Sequence, residues 1–173
     1  MPIITYTSQE QIEVYRFSLP VAIGVPLIAL VAQTFLPRWL PFMTIFNLPL
    51  LVVIFFAVAR RSPVAGLLTG GAIGVIQDAL SGQYIGVNGI AETVVGYGAS
   101  SLGVRLDVEN AGARFLVTLF FYATHEVVYF TVARGLVGMT MQWSGLREVG
   151  SALANAVLAV FLFALLDRFK QRT

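Results

Sequence analysis

Cysteine is absent from the 173 residues, and histidine occurs once, at His125. The first absence excludes disulfides and thiolate-bound metal, and it leaves the redox compartment undetermined. The second deprives a zinc-hydrolase site of its ligands. His125-Glu126 begins like the zinc-protease helix motif, but Tyr129 holds the place of the second histidine. Charge is also scarce: eleven basic and nine acidic side chains make up 12% of the chain, against roughly 25% in soluble domains. No catalytic residue, cofactor or metal is assigned, and nucleic acid is not expected as a partner.

Apolar surface is what the chain has in quantity, at 57% of its residues. Hydrocarbon about 30 Å thick needs about 20 largely apolar residues per spanning helix. Six spans with short connections therefore consume nearly the whole length, leaving no room for a second, soluble domain. The spans read at 17–36, 42–59, 64–80, 90–104, 115–132 and 149–166, each bounded by charge, Pro or Gly. The first is long for a signal peptide and follows Glu10 and Glu13 instead of a basic cluster, so it reads as a retained helix. Upstream, Ser8 and Gln11 have capping-box spacing, which fits a short interfacial helix over 9–16 and equally a frayed polar terminus.

With the N-terminus inside, Arg16, Arg60, Arg61, Arg105, Arg114, Arg168, Lys170 and Arg172 fall on the cytoplasmic side, and only Arg38, Arg134 and Arg147 fall outside. Such a bias sets orientation and predicts six spans with both ends in the cytoplasm. A five-span alternative makes 90–104 re-entrant and puts the basic C-terminus outside. The longest outer connection, 133–148, carries Met139, Met141 and Trp143 and is expected to lie along the interface, with Trp39 as a belt residue on the same side.

The spans differ in how readily they face lipid. The last has ten Leu, Ile, Phe or Val residues and Asn155 as its one strongly polar member, a gain of about 3 to 6 kcal/mol on insertion scales. The third has seven, diluted by Gly66, Gly70, Gly71 and Gly74 and ending at Gln77-Asp78, so neighbours must bury it. At 100° per residue, Gly66, Gly70, Gly74, Gln77 and Asp78 share an arc of roughly 120°. In the fourth span Gly89, Glu92, Thr93, Gly96, Ala99, Ser100 and Gly103 fall within about 60° of Gly96. Small-residue faces of this kind gain by close backbone contact, and the short intervening loop predicts that the third and fourth helices pack antiparallel through them. As a nucleotide fingerprint the glycines carry nothing, because no strand precedes them.

The fifth span gathers Thr118, Tyr122, His125, Glu126 and Tyr129 on an arc of roughly 100°. Glu126 is tolerable at membrane depth only if turned toward partners or water, and Glu92, Asp78 and Gln77 are its candidate partners. Glu126 and Glu92 sharing a proton would give a relay. Interhelical hydrogen bonding gives a purely structural reading of the same residues. Glu92 also fits the first turn of a helix capped by Asn88, and Asp78 fits a bond to the Ser81-Gly82 turn.

Asn47-Leu48-Pro49 opening a helix, then Gly66, the run Gly74-Val75-Ile76-Gln77-Asp78-Ala79-Leu80-Ser81-Gly82, Gly86, Asn88-Gly89 and Gly96-Tyr97 together resemble the MreD family of bacterial rod shape-determining membrane proteins. The specific part is the spacing of Gln77-Asp78 to Ser81-Gly82. The match is good over 45–104 and elsewhere extends only to hydropathy, length and the basic tail. The chain departs from the family it resembles at Asn47, where the resemblance implies that an acid often stands.

The resemblance implies an all-α integral membrane protein, a six-transmembrane-helix bundle similar to the substrate-binding subunits of energy-coupling-factor transporters. It implies a non-enzymatic scaffold in the bacterial inner membrane, within the elongation machinery that builds lateral cell wall. MreC would be its direct partner, and MreB and RodA with a penicillin-binding protein would belong to the same assembly. Homo-oligomers are compatible with it. The transporter likeness supplies the alternative of a subunit binding a vitamin-sized solute.

Overall fold

A computed structural model describes residues 17–105, 108–140 and 144–171. The expected interfacial helix at 9–16 lies outside the described residues, as do Met141 and Trp143. Among the described residues six α-helices follow one another: α1 (Leu19–Trp39), α2 (Leu48–Arg60), α3 (Pro63–Ser81), α4 (Val87–Gly103), α5 (Ala111–Gly135) and α6 (Gly145–Leu166). Short 3-10 turns at Pro41–Ile45 and Asp167–Phe169 precede α2 and follow α6. Four helices, α1, α3, α5 and α6 with its extension to Phe169, are long and apolar enough to cross a membrane; α2 is apolar but has thirteen residues.

Local chemistry sets the boundaries. Proline occupies the first turn of α1, α2 and α3, where its missing N–H costs nothing. The Asn47 and Asn110 side chains accept the third-residue N–H of α2 and α5. Gly82, at φ 64°, ends α3 in the left-handed conformation that glycine adopts without strain.

Several helices differ from the spans read by hydropathy. The second begins at Leu48 and not at 42, because Pro41 and the Asn47 cap hold the chain between them out of the α-helix. The fourth begins at Val87, with Gly86 at the cap and Asn88 inside the helix, which corrects the expected Asn88 cap. The fifth and sixth run to Gly135 and from Gly145, so the connection read as 133–148 shortens to 136–144.

The core belongs to α2, which touches each of the other five helices. Ten of its thirteen residues are buried, with Leu50, Leu51 and Ile54 wholly enclosed. Toward its C-terminal end Phe55 and Phe56 pack edge-on with each other and with Phe17, and Phe55 also meets Phe163 of α6 at 5.4 Å between ring centres. At about 1.5 Å per residue α2 is roughly 20 Å long, short of the hydrocarbon thickness.

The closest helix pair is α3 against α4, joined through the two glycine faces as expected. A methyl on Gly66 would collide with the Gly96 carbonyl, one on Gly70 with the Glu92 carbonyl, and one on Gly74 with the Asn88 carbonyl at 2.6 Å. Gly89 meets Val75 from the other side, while Gly103 turns to the Val58 backbone of α2 and not to α3. The far side of α3, with Leu68, Ile76 and Leu80, is exposed, and α6 shows its own apolar face at Val157, Phe161 and Leu165.

Candidate functional site

The residues that carry the family resemblance converge at the C-terminal end of α3. Asp78 is wholly buried, and its carboxylate does not bond the Ser81-Gly82 turn, which corrects that expectation. It reaches the start of α4 instead. Oδ2 accepts the N–H of Gly86 at 2.8 Å, of Asn88 at 3.1 Å and of Gly89 at 3.3 Å, and Oδ1 accepts the Asn88 side-chain amide at 2.8 Å. Only the Asp78 backbone carbonyl serves the turn, accepting the N–H groups of Gly82 and Gln83. The first N–H groups of a helix lack intrahelical partners and carry its positive dipole end. A carboxylate from a neighbouring helix satisfies both needs at once.

Gln77 ties a second helix start to the same place. Its Nε2 donates to Asn47 Oδ1 at 3.4 Å, and that oxygen also accepts the Leu50 N–H of α2 at 3.3 Å. Adjacent residues of α3 thus hold the N-termini of α2 and α4, and Pro49 is buried in the first turn of α2. Ser81, Gly82 and Tyr97 lie at the surface, Tyr97 on the outward face of α4.

Two further residues complete this region, and the sequence reading missed what they do. From Ile45 to the first residue of α2, four backbone groups are taken by side chains of other helices. Gln33 of α1 takes two: its Nε2 donates to the Phe46 carbonyl and its Oε1 accepts the Leu48 N–H, both at 3.0 Å. Asn155 of α6 takes the others, donating to the Ile45 carbonyl and accepting the Asn47 N–H, both at 2.9 Å. Irregular backbone shielded from water requires such partners. A lone amide in an otherwise apolar span was the available signal for Asn155, since such a group must find a partner inside the bundle. Gln33, near the end of the most exposed helix, gave none.

The polar arc of α5 divides. Thr118, Tyr122 and His125 are buried, while Glu126 and Tyr129 are partly exposed. His125 stacks on Tyr129 at 5.9 Å, and its Nδ1 stands 3.3 Å from Glu126 Oε1. Glu126 does not pair with Glu92, Asp78 or Gln77. It lines a cavity of about 550 Å³ between α5 and α6, together with Tyr122, Phe130, Glu148 and Val149. Glu92 is wholly buried, and neither of its oxygens has a hydrogen-bond partner among the described residues, so the proposed proton-sharing pair is not formed.

A family model described as rod shape-determining protein MreD matches residues 14–172. No match is found among curated proteins or among solved structures.

Proposed function

The chain belongs to the MreD family of rod shape-determining membrane proteins, and from that premise we propose that it is a non-enzymatic scaffold subunit of the machinery that builds lateral cell wall. In this reading it lies in the bacterial inner membrane with six spans and both ends in the cytoplasm. It binds MreC through its membrane-embedded and outer surfaces, with MreB and RodA with its penicillin-binding partner in the same assembly. One observation carries the reading: Asn47, Gln77, Asp78 and Asn88 are spent on joining α2, α3 and α4 to one another. Residues used this way make a rigid bundle whose outer faces are available to partners. Affinity capture of the tagged chain in mild detergent is expected to bring MreC with it, and depletion is expected to round rod-shaped cells. Absence of both effects would end the proposal.

A second reading, a carrier subunit for a vitamin-sized solute, draws on the cavity of about 550 Å³ beside Tyr122 and Glu126. It expects a small molecule retained through gentle purification and released on denaturation. Mass spectrometry finding only lipid there would remove it.

A further inference from the structure

A second groove lies between α1, α2 and α3. Its floor is a small core cluster of its own, in which Leu30, Val53 and Ile73 each come from a different helix and are buried. Its rim is made by Ile23 and Leu27 of α1 and Ile76 of α3, each at least two-fifths exposed. The groove therefore opens sideways, and in a membrane it opens toward lipid. Its α1 wall is thinly held by protein, with Ala29 and Leu30 the buried residues of that helix.

One charged side chain lines this groove, Arg60. α1 and α2 run antiparallel, because Phe17 before α1 packs on Phe56 near the end of α2, while Gln33 near the end of α1 bonds the backbone at the start of α2. The groove thus extends from Ala22 and Arg60 to Leu30 and Val53, about 12 Å along α1 at 1.5 Å per residue, with the guanidinium at one end. Arg60 is half-buried and lies 6.0 Å from the centre of the Phe56 ring, but it has no ion pair among the described residues. Thr69, also in the lining, spends its hydroxyl on the Ala65 carbonyl of its own helix at 2.7 Å.

The end of the bundle at which Arg60 stands is basic. Lys170 over Phe55, Arg114 paired with Asp167, and Gly103 against Val58 bring together the ends of α2, α4 and α6 and the start of α5. Among the described residues Arg60, Arg61, Arg105, Arg114, Arg168 and Lys170 lie there, against Glu109 and Asp167. An occupant that fits must carry an apolar chain for the floor and an anion for Arg60. A spanning helix, about 10 Å across, is too bulky for a cavity of about 250 Å³ walled by branched and aromatic side chains. A zwitterionic lipid fills the apolar part, but its own cation competes with Arg60 for the phosphate. An acidic phospholipid supplies both parts without that competition, and a guanidinium matches phosphate oxygens with two parallel hydrogen bonds. We infer that the α1–α2–α3 groove is a binding site for an acidic phospholipid, its phosphate held by Arg60 and one acyl chain laid along Leu27, Leu30 and Ile73. Such a site requires a bilayer and no protein partner, so it stands or falls apart from the scaffold reading.

The test uses the full chain purified in mild detergent, stripped of native lipid and titrated with phosphatidylglycerol or with phosphatidylcholine of the same acyl chains. Native mass spectrometry counts bound lipid, and melting is followed in parallel. Phosphatidylglycerol is expected to bind about fivefold more tightly, the ratio that one basic side chain supports at an acidic membrane surface, and to raise the melting temperature as a ligand of the native state does. Arg60→Gln is expected to remove the preference and Arg60→Lys to keep most of it. Arg105→Gln, exposed at the same end but outside the groove, should leave it in place. A photo-crosslinking residue at Ala72 should label phosphatidylglycerol in preference to phosphatidylcholine, and one at exposed Val157 on α6 should label the two alike. Equal binding of the two lipids, a preference that survives Arg60→Gln or falls equally in Arg105→Gln, or Ala72 crosslinks to protein in place of lipid overturns the site, whichever way capture of MreC turns out.

Discussion

Replacing Asp78 tests the helix clamp most directly, because four donors depend on one carboxylate. Gly86 is only half-buried, so water can recover its N–H, whereas Asn88 and Gly89 are buried. Asp78→Ala therefore strands three donors: the Asn88 N–H, the Gly89 N–H and the Asn88 amide. At about 1–3 kcal/mol for each buried unsatisfied group, and allowing for partial relaxation, the loss is about 3–6 kcal/mol. Asp78→Asn keeps an oxygen toward the α4 backbone, and Asn88 can rotate its amide to present oxygen to the new NH₂. Only the charge-assisted share and the dipole interaction are then lost, about 1–3 kcal/mol. Thermal melting of the purified chain in mild detergent is expected to rank Asp above Asn above Ala, with the Ala variant lower by roughly 6–20 °C at a few degrees per kcal/mol. An Asp78→Ala chain that melts within about 2 °C of the parent and still loses shape function would refute the clamp and make Asp78 a contact residue.

Other outcomes follow from the same packing. Gly70→Ala, set against the Glu92 carbonyl, is expected to destabilise by about 1–3 kcal/mol, while Gly24→Ala on α1, where nothing lies within 4 Å, should be neutral or slightly stabilising; equal melting of the two would contradict the glycine contact. Asn155→Leu, which removes both bonds to the backbone before α2, is expected to cost about 2–4 kcal/mol in chemical unfolding despite raising apolarity, and a more stable variant would count against the account of that region. The cysteine-free chain allows topology to be read by single substitutions: Thr140→Cys should react with an impermeant maleimide added outside intact cells, and Ser62→Cys only after lysis. Reversed labelling would overturn the proposed orientation.

Much of the fold was legible because it depends on local periodicity and composition. The glycine faces of α3 and α4 could be placed by angle alone, since residues without side chains in an apolar span have few uses other than close contact. The family residues were identifiable, but their roles were not. Sequence spacing points Asp78 to its own turn, because its observed contacts need the start of α4 folded back beside it, a geometry that spacing does not give. The angle of Glu126 on one helix points it toward Glu92, whereas its neighbours depend on how α5 is rotated against α6. The central position of α2 was invisible for a related reason: a thirteen-residue apolar helix reads the same whether lipid or five other helices surround it.

The bonds that Gln33 and Asn155 make before α2 also bear on how the chain is assembled. One partner is already synthesised when residues 45–48 leave the ribosome, but the other is 110 residues further along. Until α6 emerges, half of those backbone groups must be sheltered by the translocon, by water or by a chaperone. The central helix is thus sealed last although it is made early. Truncations at the far end of the gene should therefore first loosen the middle of the protein, and quality-control proteases should find their first foothold beside Asn47.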